Sequence, residues 1–474
     1  MTSNRPQHIE ASSTVPTGSD KEKPRARRSP KRRNLSADQS NLAAMKKTAL
    51  SKSSEFLMEH IVDTQNVEKA WRKVKANKGA PGPDGITLAE FPQSFRAQWP
   101  TIRQQLLDGT YIPQPARRKS IPKSDGSERK LGIPSVLERL IQQCILQVLT
   151  PIFDPYFSES SFGFRPKRSA HGAIKQVQTH IRSGFRHCVD MDLSKFFDRV
   201  QHDVLLARVA RKVKDKRLLR LIGDYLRAGV MVAQQWEPSH EGTMQGGPLS
   251  PLLANILLDD FDKELERRGL HFVRYADDFL VFTKTEKSSL RVFASVERYL
   301  TRKLKLVVNQ AKSCVRSTNG LEFLGYQFTG YGGQRRVSQK NLDKFRQRVR
   351  ELTRRNNGIS MTARLKALGY YLRGWTGYFC LVPIKSFFVA LDKWVRRRLR
   401  ACYWKQWRKP SARIRNLIQL GLARNEAVPF GSCSRGAWFM SRCESVQSTL
   451  NNSRLQTTGL VSLSDIWSKL APKR

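Results

Sequence analysis

The chain has 474 residues, with 85 Lys and Arg against 40 Asp and Glu, which gives a formal net charge of +45 at pH 7. A basic excess of this size fits a polyanionic partner, of which nucleic acid and acidic membrane surfaces are the usual kinds. No uninterrupted apolar run approaches the ~20 residues of a transmembrane helix, and the first residues lack the apolar stretch of a secretory signal, so we expect neither a membrane-spanning nor a secreted protein.

The first fifty or so residues are predicted to be a disordered basic tail. They are rich in Ser, Pro, Lys and Arg, and KEKPRARRSPKRR at 21–33 has eight basic residues and one acidic residue. Such a segment cannot bury enough apolar surface to offset its chain entropy. We expect it to make non-specific contacts with nucleic acid.

The middle of the chain is predicted to alternate between helices and strands. Residues 51 to about 182 are rich in helical patterns, interrupted by the Gly/Pro loop GAPGPDGIT. After that, RHCVDMDL is predicted to be a strand, HDVLLARVARKV and PLLANILLDDFDKELERR are predicted to be helices, and FVRYADDFLVF is predicted to be a hairpin. KLKLVV and LEFLGYQF are predicted to supply two more strands.

The composition changes after residue 330. Residues 331–425 hold 24 Lys and Arg against three acids, and helical periodicity persists in NLDKFRQRVRELTRR and ARLKALGYYLRGWTGYF. The last segment, from about 426, is shorter and less regular. The basic helical part is therefore the strongest candidate for a nucleic-acid contact.

Two adjacent acids in the predicted hairpin raise the question of a metal site. Asp277 and Asp278 lie between two apolar runs, where repulsion between like charges and loss of water both cost free energy. A polar turn would explain the pair without any chemistry, and the pair alone leaves both interpretations open. Asp192 ends the predicted strand VDMDL. Two neighbouring strands that end in acids would bring three carboxylates to shared hard cations, which would neutralise the cluster.

An ordered set of motifs resembles those of group II intron-encoded reverse transcriptases. DLSKFFD, QGGPLSP, YADD and FLGYQF follow the order of that family's palm motifs. GAPGPDGIT, LGIPSVLERLIQQ and SSFGFRPKRSAHGAI resemble its fingers blocks, and LRGWTGYF with LDKWVRRRLRACYWKQWRK resembles its maturase-specific X region. FGSCSRGAWFMSRCESV is similar to the C-terminal extension of members without an endonuclease domain. The lack of any His after His271 agrees, because it excludes a His-Asn-His nuclease core in the last two hundred residues.

The resemblance implies an α+β right-hand polymerase, helix-rich overall, with four regions. Residues 1–50 form the tail, and residues 51–330 form the fingers and a palm with an antiparallel sheet. Residues 331–425 form a helical thumb, or maturase X domain. Residues 426–474 form a C-terminal nucleic-acid-binding extension.

The resemblance also assigns roles by position. The catalytic carboxylates are Asp192, Asp277 and Asp278, which, with the carbonyl of Leu193, hold two Mg²⁺ ions that Mn²⁺ can replace. Phe197 is the steric gate that clashes with a ribose 2′-hydroxyl, and Lys312 matches a lysine proposed to protonate pyrophosphate. The remaining contacts to the incoming nucleotide and template are assigned to Lys123, Arg129, Gln245 and Gly246.

Some of these side chains also have a structural interpretation. Asp190 and Asp198 are expected to be a strand acid and a helix cap, one of Phe196 and Phe197 is expected in the core, and Lys123 and Arg129 can be solvated loop charges. Most tryptophans of the thumb-like region are expected in its core. The arginines there exceed what a solvated surface requires, so we expect phosphate contacts with RNA from Arg373, Arg396, Arg397, Arg398 and Arg400.

The implied function is an RNA-directed DNA polymerase that extends a DNA primer on an RNA template with dNTPs. It would also bind group II intron RNA to assist splicing and support retrohoming into target DNA, with a nick or a replication fork as primer. We expect a bacterial cytoplasmic, nucleoid-associated protein with no membrane partner, and seven scattered Cys without a CxxC pair fit a reducing cytosol. Two alternatives stay open: a domesticated relative in DNA repair or phage defence, and a non-enzymatic RNA-folding splicing cofactor.

Overall fold

The computed structural model describes residues 55–122, 126, 128–232, 235–239 and 241–471. The predicted basic tail and Lys123 lie outside these residues. The described part is built around a first hydrophobic cluster that runs from Leu57 to Val308, a second that runs from Phe162 to Leu463, and a small third one near the C-terminus. The first two clusters meet at opposite faces of one sheet, which carries the predicted acids.

The first part of the chain is mainly helical, as predicted. Its elements are α1 (Leu57–Ile61), α2 (Thr64–Ala76), α3 (Phe91–Asp108), β1 (Ala116–Pro122), β2 (Glu128–Ile133) and α4 (Val136–Phe153). Helix α2 begins after Asp63, whose side chain accepts the backbone N–H groups of Gln65 and Asn66, as a helix N-cap does. Strands β1 and β2 pair antiparallel, with Arg117 opposite Ile133.

Helix α4 is the central helix of the first hydrophobic cluster. The segment Val136–Tyr156 is the one stretch of the described chain that is long and apolar enough, by length and composition, to cross a membrane. However, 56% of its apolar stretch is buried inside the protein. Its buried Glu138 accepts hydrogen bonds from the hydroxyl groups of Tyr111 and Tyr225, at 2.8 and 2.6 Å. A buried carboxylate with two such partners fits a protein interior.

The central part contains the sheet that carries the acids. Its elements are α5 (Ala170–Arg182), β3 (His187–Met191), α6 (His202–Val209), α7 (Lys216–Arg227), β4 (Val230–Val232), β5 (Gln235–Glu237), α8 (Ser250–Arg267), β6 (His271–Tyr275), β7 (Asp278–Thr283), α9 (Glu286–Lys303) and β8 (Cys314–Ser317). The strand order β6-β7-β3-β8 is antiparallel throughout. The predicted strand, two helices and hairpin of this region are confirmed.

The two predicted strands after α9 differ from expectation. KLKLVV forms no strand, because α9 extends to Lys303 and Val308 contributes only an isolated antiparallel bridge to Leu193. LEFLGYQF is split by a turn at Leu324 and Gly325, both with positive φ. The resulting elements are β9 (Glu322–Phe323), β10 (Tyr326–Thr329) and β11 (Gln334–Val337), which form a separate antiparallel sheet.

The remainder of the described chain is helical. Its elements are α10 (Gln339–Leu352), α11 (Met361–Phe379), α12 (Lys385–Gln406), α13 (Pro410–Gln419), α14 (Arg424–Gly431), α15 (Ala437–Met440), α16 (Glu444–Thr449), α17 (Asn452–Thr457) and α18 (Leu463–Leu470). Buried Asp392 of α12 accepts the backbone N–H groups of Leu463 and Ser464 at 2.8 and 2.9 Å. Helix α18 therefore packs onto α12, although the sequence placed it in an extension distinct from the thumb.

Candidate active site

The two faces of the β6-β7-β3-β8 sheet have different environments, and the acids belong to one of them. Val189, Met191 and Val281 point into the first hydrophobic cluster, whereas Cys188 and Leu280 point into the second. Because side chains alternate along a strand, Asp190 lies on the same face as Cys188.

The strand register places Asp192 beside the hairpin acids. Asp190 pairs with Leu280 and Met191 with Phe279, so continuing the antiparallel register by one residue puts Asp192 opposite Asp278. Directly opposed residues in such a pair have Cα atoms about 4.5–5.5 Å apart and share a face. Asp277 lies in the turn between β6 and β7, directly before Asp278, which begins β7. The register thus brings the end of β3 to the hairpin, as the sequence predicted.

A fully buried arginine fixes the turn that carries Asp277. The Arg274 guanidinium donates to both carboxylate oxygens of Asp262 at 2.8 and 2.5 Å, and neither side chain is exposed. It also donates to Asn255 Oδ1 at 2.9 Å and to the carbonyl of Ala276 at 3.0 Å. Ala276 has φ +60°, an uncommon value for a residue with a side chain. The bond from Arg274 holds this residue in the conformation that leads into Asp277.

The segment before α5 supports the same turn from outside. The backbone N–H of Arg274 donates to the backbone carbonyl of Ser160, and the N–H of Phe162 donates back to the Arg274 carbonyl, both at 2.9 Å. Gly163 follows, and a Cβ at Gly163 would lie 2.3 Å from the Ala276 nitrogen. Only glycine allows the two backbones to approach this closely. The motif SSFGFRP therefore packs directly against YADD.

Asp192 is positioned by the chain that follows α9. Its carboxylate accepts a hydrogen bond from Asn309 Nδ2 at 2.9 Å, and its carbonyl accepts the Asn309 N–H at 2.8 Å. The Asp192 N–H donates to Ser313 Oγ at 3.1 Å. Leu193 is buried and bridges to Val308. The sequence pointed to neither Asn309 nor Ser313.

The acids form a concentration of negative charge with few positive neighbours. Loss of water, together with the charges of Asp277 and Asp192, raises the pKa of Asp278 to about 7, whereas the charge of Lys312 opposes the shift. The pKa of Asp277 is raised mainly by burial and also by Asp192, with Arg129 acting in the opposite direction. The charges of Arg129 and Lys312 therefore act on the same site. Among the described residues, none of the three acids forms a salt bridge.

The donor set suits a hard divalent cation. Three carboxylates with no ion-pair partner in the described chain leave oxygen atoms free, and Mg²⁺ usually takes one or two protein carboxylates together with phosphates and water. Within the described residues, no group of three or more His, Cys, Asp or Glu side chains is arranged to hold a metal ion by itself. The residues thus fit a cation that shares its coordination with a phosphate-bearing substrate.

The QGG loop is attached to β2. The carbonyl of Gln245 accepts the N–H of Gly132 at 2.8 Å, and Gly246 has φ +128°, with its absent Cβ directed at the Gly132 carbonyl at 2.3 Å. Glycine is therefore required at 246 both by the positive φ and by the close approach of the Gly132 carbonyl. Because Arg129 lies on the same strand as Gly132, this contact attaches the QGG loop to the strand that carries Arg129.

The phenylalanine pair divides as the sequence suggested. Phe196 is buried, with 3% of its surface exposed, whereas Phe197 is partly exposed and meets Phe196 edge to face, with ring centroids 5.1 Å apart. Phe197 therefore has the exposure that a gate needs. Asp190 forms a salt bridge with Arg316 at 3.6 Å, which fits the expected structural role. Asp198 ends a short 3-10 helix rather than beginning a helix.

Three of the predicted RNA-binding arginines have internal partners. Arg397 remains partly exposed and, among the described residues, donates only to the carbonyl of Trp438, at 3.4 Å. Buried Arg400 donates to the carbonyl of Leu450 at 2.9 Å. Arg398 donates to the hydroxyl of Thr353 at 2.9 Å and to two nearby carbonyls. These bonds hold the guanidinium groups of Arg398 and Arg400 against the fold, so we propose that neither contacts RNA. Arg373 is exposed, and Arg396 is partly exposed, so these two keep their predicted role.

Two family models match consecutive parts of the chain. The model described as reverse transcriptase (RNA-dependent DNA polymerase) matches residues 121–328, and the group II intron maturase-specific domain matches residues 342–421. The chain belongs to the group II intron-type reverse transcriptases. It therefore has the right-hand polymerase fold, with a reverse transcriptase domain followed by a maturase-specific domain. In the predicted domain division, the β6-β7-β3-β8 sheet is the palm, the elements α1 to α4 belong to the fingers, and α10 to α13 belong to the thumb.

Curated relatives agree with this assignment. Protein YkfC of Escherichia coli is 32% identical over 364 residues, which covers 67% of this chain and 96% of YkfC. Group II intron-encoded protein LtrA of Lactococcus lactis is 31% identical over 324 residues, 54% of each protein. The chain thus matches about half the length of LtrA. Neither family model extends beyond residue 421.

Sequence reasoning missed the support beneath the palm turn. Arg274, Asp262 and Asn255 are brought together by the packing of α8 against β6. A signal was present, because Arg274 interrupts the apolar strand HFVRY, and such a residue must find a buried acceptor. The sequence alone does not identify which acceptor, since α8 contains several acids.

Proposed function

We propose that this reverse transcriptase copies RNA into DNA by adding dNTPs to a primer 3′-hydroxyl. Asp192, Asp277 and Asp278, with the carbonyl of Leu193, would hold two Mg²⁺ ions, or Mn²⁺ in their place. Such ions lower the pKa of the attacking hydroxyl and stabilise the leaving pyrophosphate. The observation that carries the proposal is the register that brings Asp192 to the hairpin acids.

The residues around the acids would orient the nucleotide. Phe197, partly exposed next to a buried partner, would exclude a ribose 2′-hydroxyl. Gln245 and Gly246 would contact the incoming base and the template through a loop already attached to β2. Arg129 and Lys312 act electrostatically on Asp277 and Asp278, so a triphosphate bound at these acids would lie within reach of both cations. Lys123 would join them.

The thumb would bind intron RNA. Exposed or partly exposed Arg373 and Arg396 would neutralise phosphates, which positions RNA without reading its sequence. In this role the protein assists splicing and supports retrohoming, with target DNA primed by a nick or a replication fork. A protein with these partners would associate with the nucleoid. The match to a maturase-specific domain supports this second activity.

Primer extension tests the polymerase proposal. Wild type should extend a DNA primer on an RNA template with dNTPs and Mg²⁺, and Asp277→Ala should lose extension while keeping its fold. Asp203→Ala removes an exposed acid from the first turn of α6 and serves as the matched control. Equal, poor extension by wild type and Asp277→Ala would reject the polymerase and leave the splicing cofactor.

Copurification tests the maturase proposal. RNA that remains bound to the purified protein should contain a group II intron, and splicing of that intron should require the protein. Recovery of unrelated RNA by an active polymerase would favour the domesticated relative instead. The two tests are independent, because extension of a supplied primer needs no intron.

A further inference from the structure

The helices that follow α12 fold onto its C-terminal end. Helices α13 to α16 enclose the third hydrophobic cluster with the C-terminal end of α12. The buried residues of this cluster are Ala401, Trp404, Leu417, Ala427, Ala437, Met440, Val446 and Leu450. The short helix α15 lies on this cluster, and it places two aromatic rings beside arginines.

Planar cations cover both rings. The guanidinium of Arg397 from α12 lies 3.9 Å from the ring centroid of Trp438, and Trp438 remains 37% exposed. Phe439 has the guanidinium of Arg435 at 4.3 Å and that of Arg442 at 5.0 Å from its centroid. We call these five residues the Arg–aromatic platform. In this platform, planar and positively charged guanidinium groups lie over aromatic rings.

The charge of the platform is not neutralised by the described chain. None of its three arginines forms a salt bridge with a described residue. Residues 393–442 contain 13 Lys and Arg and a single acid, Glu426. Concentrating so much positive charge is unfavourable unless an anionic partner is bound.

The combination of stacked rings and cations defines the partner. An unpaired base can stack on an aromatic ring or a guanidinium plane, while its phosphates pair with neighbouring arginines. Bases within a duplex have their faces covered by one another, and the acidic side chains of a peptide carry no aromatic face to stack. We propose that the Arg–aromatic platform binds an unpaired stretch of a single-stranded polynucleotide, RNA or DNA. The proposal rests on the proposed function only in taking nucleic acid as the partner.

A binding assay with an occupied palm tests the proposal. The full-length protein is first loaded with an unlabelled primer–template duplex, and labelled single-stranded RNA, single-stranded DNA or duplex is then titrated. Trp438→Ala should weaken single-strand binding by between about 5-fold and 150-fold, the range for losing one stacked base, and should leave duplex binding unchanged. Comparison of the RNA and DNA titrations identifies which strand is preferred.

Salt dependence separates stacking from charge. Trp438→Ala should leave the slope of log K against log salt unchanged, because stacking releases no counterions. Arg397→Gln should make that slope shallower by about 0.7, the value for one phosphate contact on a single strand. Arg397→Lys retains the charge but loses the planar group, so it should weaken affinity and preserve the slope. Tyr156→Ala removes an exposed ring elsewhere, 57% exposed, and should have no effect.

The outcomes distinguish this proposal from the polymerase. Trp438→Ala should retain wild-type extension of a preannealed primer, which also shows that the variant is folded. Wild-type single-strand affinity in Trp438→Ala, or an equal loss for duplex, would overturn the platform even if extension is normal. Failure of wild type to extend a primer would reject the polymerase and leave the binding result standing.

Discussion

The buried ion pair beneath the palm turn allows a direct test of how the turn is held. Asp262→Asn preserves the size of the side chain but removes its charge, which leaves the guanidinium of Arg274 buried without a counter-ion. Removing one partner of such a pair destabilises a protein by about 3–5 kcal/mol. We expect the free energy of unfolding, measured by urea titration, to fall by this order.

A double variant separates stability from positioning. Arg274→Met with Asp262→Leu removes both charges, an exchange that is often neutral or stabilising. The carbonyl of Ala276 still loses its donor, directly before Asp277. A displacement of about 1 Å at a reacting centre can cost about 100-fold in rate. We therefore expect stability to recover while primer extension at saturating dNTP stays well below wild type.

The same helix supplies the control. Arg267 and Glu264 form an ion pair on the surface of α8, with side chains 72% and 22% exposed, and breaking such a pair costs less than about 1 kcal/mol. If Asp262→Asn destabilises no more than Glu264→Gln, the pair does not stabilise the palm. If the double variant extends primers at the wild-type rate, Arg274 does not position the turn.

Three further predictions concern the site itself. Phe197→Ala should reduce discrimination against ribonucleotides, measured as the ratio of kcat/KM values, by about tenfold or more, whereas Phe196→Leu should alter stability and leave the ratio unchanged. Gly246→Ala places a Cβ 2.3 Å from a backbone oxygen and should raise the KM for dNTPs, while Gly374→Ala, which meets open space within a helix, should be neutral or stabilising by up to about 1 kcal/mol. The pKa of Asp278 is raised to about 7 in the folded state and is about 3.9 in the unfolded chain. Between these two pH values, the folded metal-free protein keeps the Asp278 carboxyl protonated, whereas the unfolded chain has released this proton. Stability should therefore fall as pH rises through this window; a slope that persists in Asp278→Asn would contradict the assignment.

The palm was predictable because its signals are local. Alternating apolar residues on both sides of a polar turn predict a hairpin whatever lies around it, and the observed β6 and β7 agree. The place of the acids at strand ends follows from the same pattern. Pairing of Asp192 with that hairpin required the order of the motifs, since no local pattern brings residues 192 and 278 together.

Tertiary packing decided the parts that the sequence did not predict. KLKLVV has strand-like alternation, but α9 extends into it and its remaining residues turn to support Asp192 through Asn309. The buried pair of Arg274 and Asp262 depends on the approach of α8 to β6. Helix α18 lies far along the chain from α12, yet Asp392 caps its first turn.

The thumb arginines show why a basic run does not define an RNA surface. An α-helix turns about 100° per residue, so the four arginines of WVRRRLR cannot share one face. Arg398 and Arg400 donate to the carbonyls of Thr353 and Leu450, which follow the last residues of α10 and α16. Carbonyls at helix ends lack partners within the helix, so these cations join three helices. Their replacement by Gln should lower stability and leave the salt slope of RNA binding unchanged, whereas Arg396→Gln should make it shallower by about 0.7–0.9. A shallower slope for Arg400→Gln in a folded protein would return that residue to the RNA surface.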